Sequence, residues 1–172
     1  MPHNYKSIVV GIDGSVEADQ AFEKGVAIAQ RNNATLTIVH IVDTRSYQGF
    51  ESFDGNVPEE TRNEIRETLE EYKNLALKRG VTSVTSLLEY GSPKRNLART
   101  IPESVGADLI VLGATGLNAI ERVFIGSVSE YVVRNAVCDV LIIRKHEKQN
   151  KWFFIEKVPW PKPTRQWWRN FF

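Results

Sequence analysis

Residues 113–127 read GATGLNAIERVFIGS, and they follow the apolar run ADLIVL at residues 107–112. The run is typical of a buried strand. Beyond it come Gly113 and Gly116, nine further residues, and then Gly126 and Ser127 at the start of a predicted helix. A helix that begins without a side chain leaves its first amides open, and such amides attract anions. The stretch therefore predicts a strand, a glycine turn and an anion-binding helix start.

The same alternation of strand and helix runs outward from this stretch. Apolar or β-branched runs predict strands at 7–13, 35–43, 83–91, 108–112 and 139–144, and helical periodicity fills the intervals between them. Apolar strands alternating with helices favour an α/β fold, an open doubly wound five-stranded parallel sheet of Rossmann-like type. The predicted strand order is 3-2-1-4-5, which reverses between strands one and four. Ligands bind at that reversal, so Asp13 and residues 113–127 should flank one crevice.

Length and composition narrow the class of protein. The chain has 172 residues and a net charge of +1, so it favours one domain and offers no large positive field for nucleic acid. Cys138 is the single cysteine, which excludes an intrachain disulfide and favours a reducing compartment. No apolar stretch approaches the ~20 residues of a membrane span, and we see no signal peptide. We expect a cytoplasmic protein that does not bind nucleic acid.

Each candidate ligand residue also has a structural interpretation. Ser127 and Glu130 fit a capping box, in which their side chains would satisfy the first helix amides. Asp13 lies in Asp-Gly-Ser, a common turn composition. The glycine spacing and the position at the sheet reversal favour a binding site instead. Since an aspartate repels phosphate, the phosphates belong at the fourth helix and the nucleoside near Asp13. His40 lies within a strand, where a core or interface histidine is favoured over a metal ligand.

The sequence resembles the universal stress protein family over about residues 4–146. The similarity depends on GIDGS after strand one, on VHIVD ending strand two, and above all on the glycine motif Gly113, Gly116, Gly126 and Ser127. The complete motif resembles that of the ATP-binding branch. The resemblance implies a site for ATP, ADP or AMP, with Mg²⁺ bridging phosphate oxygens, and no catalytic residue or protein metal site is assigned. The implied nucleotide-binding residues are Ile12, Asp13, Ile41, Leu112, Gly113, Thr115, Gly116, Gly126, Ser127, Val128 and Ser129.

The resemblance also implies a homodimer that pairs fifth strands, the segment DVLIIR from Asp139 to Arg144. We expect a nucleotide-dependent stress-response regulator. The alternative is a slow ATPase, or an enzyme that phosphorylates itself on Ser127 or Ser129. The motif lacks the lysine of a Walker sequence, and Arg122 is the basic residue within the glycine loop.

The last 25 residues differ from the rest of the chain. Residues 148–172 carry six Lys or Arg, one acid and all four tryptophans, whereas the remainder has a net charge of −4. We therefore divide the chain into a nucleotide-binding domain at 1–147 and an aromatic, basic tail at 148–172. Tryptophans and basic residues together favour a membrane surface. The alternative is that the tail folds back on the domain or on a dimer partner.

Overall fold

A computed structural model describes residues 4–47, 57–116 and 125–144. Strands and helices alternate through these residues, as the sequence predicts. The strands are β1 (Ser7–Gly11), β2 (Thr35–Val42), β3 (Val84–Tyr90), β4 (Leu109–Gly113) and β5 (Asp139–Ile143). The α-helices are α1 (Val16–Asn32), α2 (Glu59–Lys78), α3 (Pro93–Arg95), α4 (Ile101–Val105) and α5 (Ser127–Asn135).

The five strands form one parallel sheet in the order β3-β2-β1-β4-β5, which confirms the predicted topology. In the centre, Ile8 lies opposite Leu36 of β2 on one side and Leu109 of β4 on the other. One further backbone bond, from Ile12 N to Val39 O at 2.9 Å, extends the β1–β2 pairing past the end of β1. Because the chain order reverses between β1 and β4, their carboxyl ends diverge into a crevice.

Helices cover both faces of the sheet, and side chains alternate between two cores. In β1, Ile8 and Val10 belong to the core beneath α1 and α2. Val9 belongs to the core on the other face, beneath α3, α4 and α5. All three side chains are fully buried. A fully apolar strand is what two covered faces require. The alternation also decides which β2 side chains face the crevice, since Val39 and Ile41 share the second face.

The third helix, expected in the interval between strands three and four, is observed as a helical segment over 93–105 with a π-helical turn at Asn96–Thr100 between α3 and α4. Pro102 has no amide hydrogen, so it cannot bond the carbonyl of Ala98 four residues earlier. That carbonyl accepts instead from Val137 N at 3.2 Å. The proline thus frees an acceptor that ties this segment to the loop before β5.

Several predictions fall outside the described residues. They concern most of the connection at 44–57, the loop residue Arg122 and the tail at 148–172; the boundary between domain and tail therefore stays a prediction. At its start, the connection forms a 3₁₀ turn, Thr44–Tyr47. Over the described ranges, none of the helices combines the length and apolarity that a bilayer crossing demands.

Candidate functional site

One cleft opens at the carboxyl edge of the sheet, between the ends of β1 and β4. Its volume is about 530 Å³, within the range of small-molecule sites. All eleven residues that the resemblance assigns to a nucleotide line this single cleft. They are Ile12, Asp13, Ile41, Leu112, Gly113, Thr115, Gly116, Gly126, Ser127, Val128 and Ser129.

The loop after β4 is held by its carbonyl groups. Ser129 Oγ donates to Gly113 O at 2.7 Å, Gly126 N donates to Ala114 O at 2.6 Å, and Ser15 Oγ donates to Thr115 O at 3.4 Å. Ser15 and Ser129 are both buried. Three consecutive carbonyls are therefore bonded to the starts of α1 and α5. In a trans peptide group the N–H points opposite to the C=O. The amides of Thr115 and Gly116 therefore point away from Gly126 N and Ser15 Oγ, the donors to the carbonyls before them.

The start of α5 is uncapped by side chains. Gly126 is the N-cap, in extended conformation, and no side chain of a described residue accepts from the first amides. The capping box does not form: Ser127 lies inside the helix, and Glu130 accepts from Arg134 Nη2 at 2.8 Å instead. Within the described part of the chain, the amides of the first three helical residues, 127–129, have no acceptor. This is the arrangement in which a helix N-terminus binds an anion.

The three motif glycines are needed for close approach and not for unusual backbone angles. The described glycines with positive φ are elsewhere, at Gly14, Gly80, Gly91 and Gly106. A Cβ on Gly113 would lie 2.7 Å from Glu17 C, in the backbone of α1. On Gly116 it would lie 2.6 Å from Asp13 Oδ2. On Gly126 it would lie 3.3 Å from Ala114 O, so it would press on the loop after β4.

Asp13 forms the turn that its sequence suggests, and it also lines the cleft. Its Oδ1 accepts from Ser15 N at 3.0 Å, which forms the turn into α1. Its Oδ2 faces Gly116 across the crevice, and the residue lines the cleft. The turn therefore holds the Asp13 carboxylate close to Gly116, across the crevice.

A second carboxylate in the cleft was missed from the sequence. Asp43 follows β2, and Arg45 binds both of its oxygens, with Nε at 2.9 Å from Oδ1 and Nη2 at 2.6 Å from Oδ2. These hydrogen bonds hold the pKa of Asp43 below its usual range. Asp43 could have been found because it follows the end of β2, at the crevice edge of the sheet. Val39 could have been found because it lies two residues before Ile41 and so on the same face of the strand. The seven lining residues not predicted are Gly11, Ser15, Ala18, Val39, Asp43, Pro93 and Leu97.

His40 has the structural role expected of it. It precedes Ile41 on β2, so its side chain leaves the opposite face of the strand. Its Nδ1 lies 2.8 Å from Ile12 O, and since a carbonyl only accepts, Nδ1 carries the proton. Burial lowers the pKa of His40, which favours the neutral ring. The described residues contain no group of three or more His, Cys, Asp or Glu that could hold a metal ion.

Together these features define a doubly wound α/β protein with a cleft at the reversal of its sheet and, on one wall, a helix start whose first amides are open. The sequence profile described as "Universal stress protein family" matches residues 4–144, and the chain belongs to that family. Its relatives include the Staphylococcus epidermidis protein SERP1273, named for the same family, which is 46% identical over 144 residues, covering 84% of this chain and 87% of the relative.

Solved structures agree with this assignment. The chain is similar to universal stress protein UspA from Lactobacillus plantarum, with a TM-score of 0.70, 30% identity, and coverage of 83% of this chain and 99% of the other. It is also similar to a universal stress protein solved in complex with cAMP, with a TM-score of 0.62, 30% identity, and coverage of 83% and 98%. The fold of the described residues between 4 and 144 is therefore that of the family.

Proposed function

We propose that the cleft binds an adenine nucleotide, namely ATP, ADP or AMP, and that the bound nucleotide regulates the contacts of the protein with its partners. The observation that supports this most is the meeting of all eleven motif-derived residues in one cleft of suitable size. A relative of the same family is known in complex with cAMP, which carries the same base. The family name refers to stress, and the regulatory role is the function that the resemblance in sequence implies.

The two ends of the cleft differ in chemistry, and this difference orients the nucleotide. One end is apolar, with Val39, Ile41, Leu97 and Leu112, and suits a flat base. Asp13 lies beside it and can accept from ribose hydroxyls or from an exocyclic amine. The other end is formed by the uncapped amides of α5, which suit phosphate oxygens.

A divalent cation fits this arrangement only through the nucleotide. The cleft carboxylates are Asp13, placed at the nucleoside, and Asp43, held by Arg45, so neither is free beside the phosphates. Mg²⁺ is commonly held by phosphate oxygens with few protein ligands. Ser127, whose hydroxyl has no partner among the described residues, is the side chain that could join that shell. The ion would reduce the negative charge of the phosphate chain.

Binding without rapid turnover is the function proposed, because the glycine motif lacks the lysine of a Walker sequence and Ser129 is poorly placed to accept a phosphoryl group. Ser129 is buried and its hydroxyl already donates to Gly113 O. A nucleophile needs a base to take its proton, and the carbonyl that holds this proton is no such base. Slow hydrolysis, or transfer to Ser127, is the alternative function, and single-turnover assays with labelled ATP distinguish it from binding.

The proposal predicts that protein purified from cells carries its ligand. Denaturing the freshly purified full chain should release ATP, ADP or AMP, identified by mass spectrometry in an amount close to one per chain. Calorimetric titration of the emptied protein should then show binding of adenine nucleotides and much weaker binding of GTP. Absence of adenine nucleotide in the extract, together with no heat of binding for adenosine, AMP, ADP or ATP, would contradict the proposed function.

We further propose a homodimer paired through β5. Among the described strands β5 forms one edge of the sheet, and unpaired apolar edges associate readily. Beside this edge, Val133 and Val137 are 51% and 44% exposed, and Tyr131 is 38% exposed. A second copy seated on β5 would cover these apolar side chains.

The dimer proposal predicts that Val140→Lys, a charge placed in β5, weakens self-association at least tenfold. Lysine on an edge strand opposes pairing because its charge must be desolvated on association. Size-exclusion chromatography with light scattering at several protein concentrations measures the change. The matched control is Leu77→Lys on α2, an exposed apolar residue away from β5. Equal masses for Val140→Lys and wild type at every concentration would refute pairing through β5.

A further inference from the structure

The described lining of the cleft contains no basic side chain that could balance the charge of a bound phosphate. Asp13 and Asp43 are the charged residues among its described lining; Arg45 pairs with Asp43, which leaves Asp13 without a basic partner in that lining. A nucleoside triphosphate adds several negative charges, whereas the N-terminus of α5 offers an effective charge of only about +0.5. Anionic phosphates are usually bound with a Lys or Arg nearby. A basic side chain should therefore reach the cleft from its rim.

Lys94 stands out among the basic residues of the described chain. Lys and Arg side chains are seldom buried unless they are paired. Four Lys and Arg residues in the described ranges are partly buried. Three of these four pair with glutamates: Arg62 with Glu59, Lys73 with Glu70, and Arg79 with Glu23. Lys94 is the fourth, and no carboxylate within the described ranges pairs with it. Its partial burial is therefore not matched by an ion pair among the described residues.

The position of Lys94 places it at the rim of the cleft. Pro93, before it, and Leu97, three residues after it, both line the cleft. Leu97, Ala98 and Ile101 form the buried face of this helical segment. Lys94 precedes Leu97 and Ala98 by three and four residues, so it continues that face toward the carboxyl edge of the sheet.

The phosphate end of the cleft is within reach of this residue. α3 follows β3 and α5 follows the loop after β4, so both helices begin at the carboxyl edge of the sheet. The two helices lie against each other, with Cα atoms within 8 Å. Lysine carries its ammonium group on a flexible four-carbon stem. From the first turn of α3, that stem can extend toward the open amides of α5.

We propose that Lys94 binds the terminal phosphates of the nucleotide and makes the site sensitive to the length of the phosphate chain. This inference rests on the proposed function and assigns it a residue outside the glycine motif. The α5 amides are a fixed site for one phosphate group, whereas Lys94 adds attraction only for a chain long enough to reach it. ATP then binds more tightly than AMP, and the difference depends on this side chain.

The test compares Lys94→Met, which keeps much of the aliphatic stem, with Lys94→Arg and with Arg99→Met. Arg99 is exposed on the same helical segment and its variant makes the same change of charge. Calorimetric titrations of the full chain with adenosine, AMP, ADP and ATP, with Mg²⁺ present, measure the affinities. For Lys94→Met we expect about a tenfold loss for ATP, in line with a charged hydrogen bond. Adenosine and AMP should stay within about twofold of wild type.

The controls decide between a phosphate contact and other roles. Lys94→Arg should keep ATP affinity, and Arg99→Met should match wild type for all four ligands. ATP affinity unchanged in Lys94→Met would overturn the inference while leaving nucleotide binding intact. A loss of equal size for adenosine and ATP would also overturn it, because Lys94 would then act on the base or on the fold. Failure of wild type to bind any of the four ligands would overturn the proposed function, and this inference with it.

Discussion

Replacing Gly113 with alanine is expected to lower the thermal midpoint of the protein by about 10 °C. A Cβ at this position would lie 2.7 Å from Glu17 C, 2.8 Å from Glu17 Cβ and 2.9 Å from Ala18 N. These atoms are backbone and near-backbone atoms of α1, so no rotamer change can relieve the contact. Overpacking of this kind costs up to ~3 kcal/mol, and each kcal/mol lowers the midpoint of a domain of this size by about 2–4 °C.

The control for Gly113 is Gly106→Ala. Gly106 ends α4 with φ of 60° and has no atom within 4 Å of the position of a Cβ. Alanine there meets only the left-handed backbone, at about 1 kcal/mol. Differential scanning calorimetry of the two variants therefore separates steric overlap from backbone strain. A midpoint for Gly113→Ala at or above that of Gly106→Ala would show that α1 can move away from β4 at little cost.

This result bears on how the cleft is built, because Gly113 lets α1 approach β4. Ser15, at the start of α1, reaches Thr115 O only if the helix lies that close. An α1 displaced by a Cβ would break this bond and move Asp13, two residues before Ser15. The first motif glycine thus acts on the cleft through the packing of a helix, and the ligand need not touch it.

The architecture was predictable from the sequence because its signals are local and repeated. Buried parallel strands are apolar throughout, as in residues 8–10, and the intervening helices have one apolar face. Right-handed crossovers then leave few topologies. The π-helical turn at Asn96–Thr100 was not predicted, since it belongs to a segment whose Pro102 frees a carbonyl for the distant Val137, a contact that no local pattern reports.

The sequence predicted which residues line the cleft better than it predicted the contacts that hold them there. The resemblance gave residues that do meet in one cleft, yet the structure assigns Ser129 Oγ to Gly113 O, a bond within the protein. It also shows that Glu130 pairs with Arg134, so the capping box expected as the alternative is absent. Both outcomes depend on where a side chain finds its partner in space. Sequence spacing limits these choices without deciding them.

Asp43 and Lys94 show the same limit from the other side. Each lies outside the motif, and each gains its importance from what it contacts or lacks in the fold. The charge of Asp43 in the cleft is neutralised by its ion pair with Arg45. Lys94 is distinguished by partial burial without a carboxylate in the described ranges, which a sequence cannot report. Charge balance in a cleft is a property of the assembled structure.

Replacing Gly116 with alanine is expected to reduce nucleotide affinity about 10- to 100-fold while the fold is retained, the range that follows from losing a hydrogen bond to a charged group. A Cβ here would lie 2.6 Å from Asp13 Oδ2, and the next atom, Asp13 Cγ, is 3.9 Å away. Only the end of one side chain must move, and φ at Gly116 is not positive. Stability should therefore change little. The carboxylate proposed to hold the nucleoside is nevertheless displaced, so adenosine and ATP should lose affinity alike.

A double-mutant cycle with Asp13→Ala tests this mechanism by calorimetric titration. Once the carboxylate is removed, the added methyl group has nothing to displace, so Gly116→Ala should then cost less than about twofold. Effects that add fully would mean that Gly116 acts on the ligand directly, by lining the cleft. Gly126→Ala is the matched comparison from the same motif, since its Cβ would meet Ala114 O at 3.3 Å and leave Asp13 in place. Its effect should persist in the Asp13→Ala background, because the loop carbonyl it presses on does not depend on that carboxylate.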